Sequence, residues 1–159
     1  MYLYKASGST YTRVIHEELH AFPYSPAEVS EDEFILLSKN REDCAMLEKQ
    51  VQYAAKLHSV RPATQAELER FFPQVAAGAR WRFALKLYWV RPFRRPFNLS
   101  DVRGLNAKRY ATVQGFAKLD AADELVMLRH LIATNADLVL DVINHAERPD
   151  ASDSADTAS

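Results

Sequence analysis

The sequence predicts an α+β domain on one strongly curved, mostly antiparallel sheet, and three observations lead there. Strand-length apolar segments recur with short helices between them but without regular alternation, which disfavours a doubly wound parallel sheet. The 159 residues suffice for one well-filled core and not for two. The third observation is the run from Arg80 to Phe97, R-W-R-F-A-L-K-L-Y-W-V-R-P-F-R-R-P-F, with six basic residues and no acid. At one-on, one-off spacing Trp81, Phe83, Leu85, Leu87 and Trp89 point to one side of a strand, and Arg82, Lys86 and Tyr88 to the other.

The elements follow in order. Tyr2 to Ala6 reads as a first strand, ended by Ser7-Gly8-Ser9, residues suited to a turn or a helix entry. Tyr11, Val14, Ile15 and Leu19 fall at helical spacing, and Pro23 and Pro26 stop that helix. Phe34 to Ser38 is a continuous apolar run, expected to be buried on both faces, with Asn40 just beyond it. Val51, Tyr53, Ala55 and Leu57 alternate with Gln52, Ala54, Lys56 and His58, a strand running to about Val60. Thr64-Gln65-Ala66-Glu67 has the form of a capping box opening a helix whose buried face is Leu68, Phe71 and Phe72. After the basic aromatic strand, Asn98-Leu99-Ser100-Asp101 caps a single turn, and Ala111 to Leu119 offers a last strand interrupted at Gly115. Asp120 caps a closing helix with Leu125, Leu128, Leu131 and Ile132 as its stripe, broken at Thr134 to Asp137 before Leu138 to Ile143 continues.

Composition narrows the function classes. With 48% apolar residues and 20 basic against 21 acidic side chains, any affinity for a polyanion has to be local. Residues 1–146 read as a single domain, and 147–159, with Glu147, Asp150, Asp153 and Asp156 among Ser, Ala and Thr, as a disordered acidic tail. Cys44 is the one cysteine, which excludes a disulfide framework and a cysteine-built zinc site within the chain. The absence of a bilayer-length apolar run, with no secretory layout at Met1-Tyr2-Leu3-Tyr4-Lys5, points to a cytoplasmic protein without a membrane partner.

One motif has the look of chemistry. His16-Glu17-Glu18-Leu19-His20 matches H-E-x-x-H on an expected helix, where two histidines one turn apart could face a zinc ion. A second charge inside the motif and the lack of a signposted third ligand favour a solvated amphipathic helix, leaving a zinc-dependent hydrolase through His16 and His20 as a remote alternative. Cys44 follows Glu42-Asp43, neighbours that raise a thiol pKa rather than lower it. The glycines at 8, 78, 104 and 115 are isolated, so there is no phosphate-cradling loop. His58 and His130 read as structural. The expectation is a non-catalytic protein with no cofactor and no metal.

The stretch from Ala79, A-R-W-R-F-A-L-K-L-Y-W-V-R-P-F-R-R-P-F-N-L-S-D-V-R, resembles the part of EVE domains where a tryptophan opens a strand and a basic segment leads to proline and a short helix. Arg109 to Gln114, followed by Leu119 and Asp120 to Glu124, is similar to the EVE strand that enters the closing helix. Tyr2 to Ser7 and Glu33 to Asn40 resemble the opening strands that EVE and YTH domains share. The likeness covers residues 2 to 133, although Phe22-Pro23-Tyr24-Ser25-Pro26 stands where EVE domains carry an aromatic, arginine-rich segment. It implies a PUA-like fold, related to YTH and ASCH domains: a curved sheet approaching a barrel, flanking helices, a C-terminal helix, and a pocket for a modified nucleobase. The matching pocket positions are Lys5, Ser7, Ser38, Asn40, Trp81, Tyr110 and Gln114, with Arg91, Arg94 and Arg95 on flanking phosphates.

The function expected is therefore a module that reads a modified base in DNA or RNA. The alternative is a protein-interaction or regulatory subunit on the same fold, with Tyr88, Phe93 and Phe97 as its contact surface.

Overall fold

The structure, a computed structural model, describes residues 1–6, 8–22, 30–39, 50–71, 83–113 and 115–145. Among them run β1 (Tyr2–Ala6), α1 (Gly8–Glu17), β2 (Leu19–Phe22), β3 (Phe34–Lys39), β4 (Val51–Pro62), α2 (Gln65–Phe71) and β5 (Phe83–Phe97). A 3-10 turn (Leu99–Asp101), α3 (Ala107–Ala111), β6 (Gly115–Lys118), α4 (Ala121–Thr134) and α5 (Ala136–His145) follow. The strands form one sheet in the order β2-β5-β4-β3-β1-β6. Only the β1–β3 pairing is parallel among the described strands, so the sheet is mostly antiparallel, as expected.

Period-two alternation gives the sheet two apolar faces. Tyr2, Tyr4, Ile35, Leu37, Leu57, Leu85 and Leu87 gather on one, packed against Tyr11 and Val14 of α1. Met1, Leu3, Leu36 and Ala54 lie on the other, covered by Met127 and Leu131 of α4 and by Val102 and Tyr110. The first face is the concave one, because Tyr4 on β1 hydrogen-bonds His20 on β2 although β5, β4 and β3 lie between their strands. Only a sheet curled toward that side brings them together, and this makes the half-barrel. Each Leu or Ile fully withdrawn from water contributes about 1.5–3 kcal/mol, and Leu36, Leu37, Ile35 and Leu57 are all fully buried.

Four local expectations are corrected. The first helix ends at Glu17 and not near Pro23: Glu18 turns to φ 53°, its N–H makes the last helical bond to the Val14 carbonyl, and Leu19–Phe22 pairs with β5. In β5, Trp89 sits at φ 52°, a bulge that moves it to the face of Tyr88, away from Leu85 and Leu87. Arg109, Tyr110 and Ala111 belong to α3, so the last strand is only Gly115–Lys118, opened by Gly115 at φ 77°. The closing helix buries Met127 and Leu131, while Leu125, Leu128 and Ile132 face outward.

The sequence's capping residues act as read. The Glu67 N–H donates to Thr64 Oγ1 at 3.2 Å and the Thr64 N–H to Glu67 Oε2 at 3.0 Å. Asp120 Oδ1 accepts from the Asp123 N–H at 2.8 Å at the start of α4. At the break between α4 and α5, the Asn135 side chain accepts from the Arg95 N–H at 3.1 Å and donates to the Arg95 carbonyl at 3.3 Å. It thus imitates a neighbouring strand for one residue of β5.

Candidate functional site

The curl itself is filled by the concave core, and two hollows among the described residues lie outside it. The first is at the end of the sheet where β1, β3 and β5 finish. Lys5 lies beside Ser38 in the parallel register, Ala6 beside Lys39, and Val51 pairs with both Ser38 and Phe97, which brings the residues after β5 alongside. The 3-10 turn and α3 wall the opening. The result is a cleft of about 400 Å³ lined chiefly by Lys5, Lys39, Lys108, Asn98, Leu99 and Ser100. Among the described residues three ammonium groups and no carboxylate line it, a lining that favours an anion. Its size is that of a small-ligand site.

Two of the three lysines are placed by definite contacts. Lys5 Nζ donates to the Tyr110 carbonyl at 2.7 Å, and to that of Ala111 at 3.5 Å. These are end carbonyls of α3, and a cation satisfies both their lone pairs and the negative end of the helix. Lys39 Nζ sits 5.9 Å from the Tyr11 ring centre. Lys108 projects from the exposed side of α3. Ser38 is buried, and its Oγ has no hydrogen-bond partner among the described residues.

The second hollow, about 570 Å³, lies between β5 and the α4–α5 junction and holds Arg91, Arg94 and Arg95 together with Asn135, Asp137 and Asp141. Arg91 Nε is 4.0 Å from Asp141, whose carboxylate also accepts from Trp89 Nε1 at 3.0 Å, and the Arg91 guanidinium lies over the Trp89 ring. Arg94 reaches Asp137 at 3.7 Å, but both are almost fully exposed (87% and 88%), so that contact contributes close to nothing. This groove is of mixed charge; the lysine cleft is not.

The residues expected at the site are therefore divided. Lys5 and Ser38 are neighbours at the rim, and Arg91, Arg94 and Arg95 share the other groove, with no lining residue in common. Tyr110 takes part through its carbonyl alone, for its ring is in the convex core and its hydroxyl donates to Asp123 Oδ2 at 2.6 Å. Burial first, and then the Asp123 carboxylate, push that phenol's pKa up to about 12. Ser7, Asn40, Trp81, Gln114, the tail from 147 and Cys44 lie outside the described residues. Lys39, Lys108, Asn98 and Ser100 are lining residues that sequence reasoning misses. The rim position of Lys39 is signalled only by its place at the end of an apolar run.

The remaining candidates have structural settings. The H-E-x-x-H pattern does not lie on one helix, since the chain reverses at Glu18: His16 is exposed on α1 and His20 faces Tyr4 from β2. No group of His, Cys, Asp or Glu among the described residues is arranged to hold a metal ion. His58 Nδ1 is 3.1 Å from Ser59 Oγ, and His130 stacks edge-on against Phe97, 4.6 Å between centres, with burial lowering its pKa. Tyr88, Phe93 and Phe97 are buried in the convex core, so they do not form the contact surface expected of them; the bulge at Trp89 and the cover of α4 and α5 enclose them. No helix among the described residues is long and apolar enough to cross a membrane.

A mixed sheet curled into a half-barrel, with a helix plugging one face and terminal helices across the other, is the PUA-like fold. The chain is similar to ASCH from Zymomonas mobilis, with a TM-score of 0.61 at 15% identity over 80% of this chain and 93% of that one. It is similar to a serine-to-alanine point mutant of the same protein, with a TM-score of 0.61 at 15% identity over 81% of this chain and 94% of that one. The N-terminal domain of Staphylothermus marinus McrB superposes with a TM-score of 0.56 at 12% identity, over 80% of this chain and 92% of that one. At these identities the likeness is one of fold. No family model matches the sequence, and no curated protein matches it.

Proposed function

We propose that the protein is a non-catalytic nucleic-acid-binding module that takes one nucleotide of DNA or RNA into the lysine cleft and reads a modified base there. The observation that carries this reading is the cleft's charge: Lys5, Lys39 and Lys108 surround about 400 Å³ with no carboxylate among the described lining residues. In a chain whose net charge is −1, such a cluster is a local anion site and not a by-product of composition. Asn98 and Ser100 add amide and hydroxyl groups able to read a base edge. The resemblance of residues 2 to 133 to EVE domains supports a modified base as ligand, and the PUA-like fold supports nucleic acid as its carrier.

The test is a fluorescence-anisotropy screen of modified and unmodified oligonucleotides, in DNA and RNA, against wild type and Lys39→Glu. Tighter binding of one modified oligonucleotide, lost in the variant, supports the proposal. Equal binding of all oligonucleotides removes the base-reading part, and no binding at low salt removes the whole.

A further inference from the structure

We propose that Arg103 and Arg129 hold a backbone phosphate of the strand whose nucleotide enters the lysine cleft, a second anchoring point that rests on nucleic acid being the cleft's ligand. A third hollow, of about 240 Å³, opens beside α4 and is lined by Arg103, Val126, Arg129 and His130. Two guanidinium groups and no carboxylate are among its described lining residues.

Both arginines are carried by firmly packed backbone. Val126, Arg129 and His130 stand at i, i+3 and i+4, hence on one face of α4. Arg103 follows Val102, which is buried in the convex core, and precedes Gly104, whose φ of 90° glycine adopts without strain. A Cβ at Gly104 would stand 3.8 Å from both γ-carbons of Val126, so this turn lies directly against α4 and brings Arg103 to the face that carries Arg129. The His130 ring, edge-on against Phe97, completes the lining.

Both guanidinium groups are exposed and have no ion-pair partner among the described residues. Arg61, Arg91, Arg94 and Arg109, by contrast, each face a carboxylate, those of Glu67, Asp141, Asp137 and Asp120. The nearby acids are engaged elsewhere. Asp101, whose charge reaches His130, accepts from the Asn98 N–H at 3.3 Å and from its side-chain amide at 3.1 Å, while Asp123 and Glu124 of α4 accept from the Tyr110 hydroxyl and the Met1 ammonium. Two uncommitted guanidinium forks suit a phosphate, which they can bind through paired hydrogen bonds. Position decides which phosphate: Ser100 lines the lysine cleft and Arg103 is three residues further on, so their Cα atoms are at most about 11 Å apart. That is about three nucleotides at about 3.4 Å of axis per strand position, and a strand with one nucleotide in the cleft reaches the arginines along the 98–103 segment.

Anisotropy titrations of a single strand of about five nucleotides, over a range of salt, test the second anchor on the full chain. Arg103→Ala combined with Arg129→Ala is expected to weaken binding about tenfold and to make the slope of log K against log salt shallower by about 0.7, one phosphate contact. Lys86→Ala combined with Lys118→Ala removes two exposed charges at the other end of the sheet and is expected to keep wild-type affinity and slope. An arginine variant that matches wild type, or a lysine control that loses as much, overturns the second anchor. Binding that Lys39→Glu abolishes and the arginine variant leaves intact overturns it alone, whereas a wild-type chain that binds no strand at low salt removes the lysine-cleft reading and this anchor with it.

Discussion

Tyr4 Oη and His20 Nδ1 lie 2.8 Å apart, joining the fifth strand of the sheet order to the first across the concave core. Burial sets both protonation states. It holds the phenol's pKa well above its usual value and lowers the imidazole's to about 3, so a neutral hydroxyl donates to a neutral ring. The contact closes the half-barrel and fixes the plugging position of α1, whose last turn leads into β2.

This makes His20 one source of acid sensitivity in the fold. The unfolded chain takes up the His20 proton near pH 6.5, the folded chain only near 3, so the unfolded state binds more protons in between. The stabilisation is therefore complete above pH 6.5 and is lost as pH falls toward 3, at up to about 1.4 kcal/mol per pH unit. Chemical denaturation across that range should show a shallower pH dependence for His20→Phe than for wild type. Parallel slopes would contradict the assignment.

Glu18 holds a left-handed conformation at φ 53° that a side chain disfavours by about 1–2 kcal/mol. Glu18→Gly is expected to be neutral or to stabilise by up to about 1 kcal/mol, because relief of that strain outweighs the added freedom of the unfolded chain. A loss above about 1 kcal/mol in a denaturant titration would show that the carboxylate, not the turn, matters there.

Tyr110→Phe separates a core role from a base-stacking one. Removing the hydroxyl leaves the buried Asp123 without its 2.6 Å donor, and the expected cost is about 1–3 kcal/mol of stability. Oligonucleotide affinity should be unchanged. Weaker binding at unaltered stability would return the ring to the site.

Ser38→Ala removes a buried hydroxyl that has no hydrogen-bond partner among the described residues, so stability should stay level or rise by about 1 kcal/mol. A thermal melt checks this, and a fall of several degrees would reveal a partner for Oγ.

Much of the frame is readable in the sequence because it rests on local rules. Continuous apolar runs mark β1 and β3, apolar alternation from Val51 to Leu57 marks β4, and the hydroxyl and carboxylate spacing at Thr64–Glu67 and at Asp120 marks the helix starts. What escapes the sequence depends on tertiary contacts. Leu19 completes a helical stripe, yet pairing with Lys86 and the reach of His20 to Tyr4 draw it into a strand. The resemblance to EVE domains puts Tyr110 on a strand, but Lys5 caps the helix that contains it. Lys39 and Lys108 stand 69 positions apart in sequence, and no pattern along the chain brings them to one cleft.

Binding of nucleic acid at the lysine cleft is tested most directly by the salt dependence of affinity for a single-stranded ligand. Three phosphate contacts correspond to a slope of about −2 in log K against log salt, at about 0.7 per contact. Lys39→Glu combined with Lys108→Glu is expected to abolish binding and most of that slope, while Arg94→Glu, in the separate mixed-charge groove, leaves both nearly unchanged. The reverse outcome, with the cleft variant binding normally and Arg94→Glu losing affinity, would place the ligand in the arginine groove and refute the lysine site.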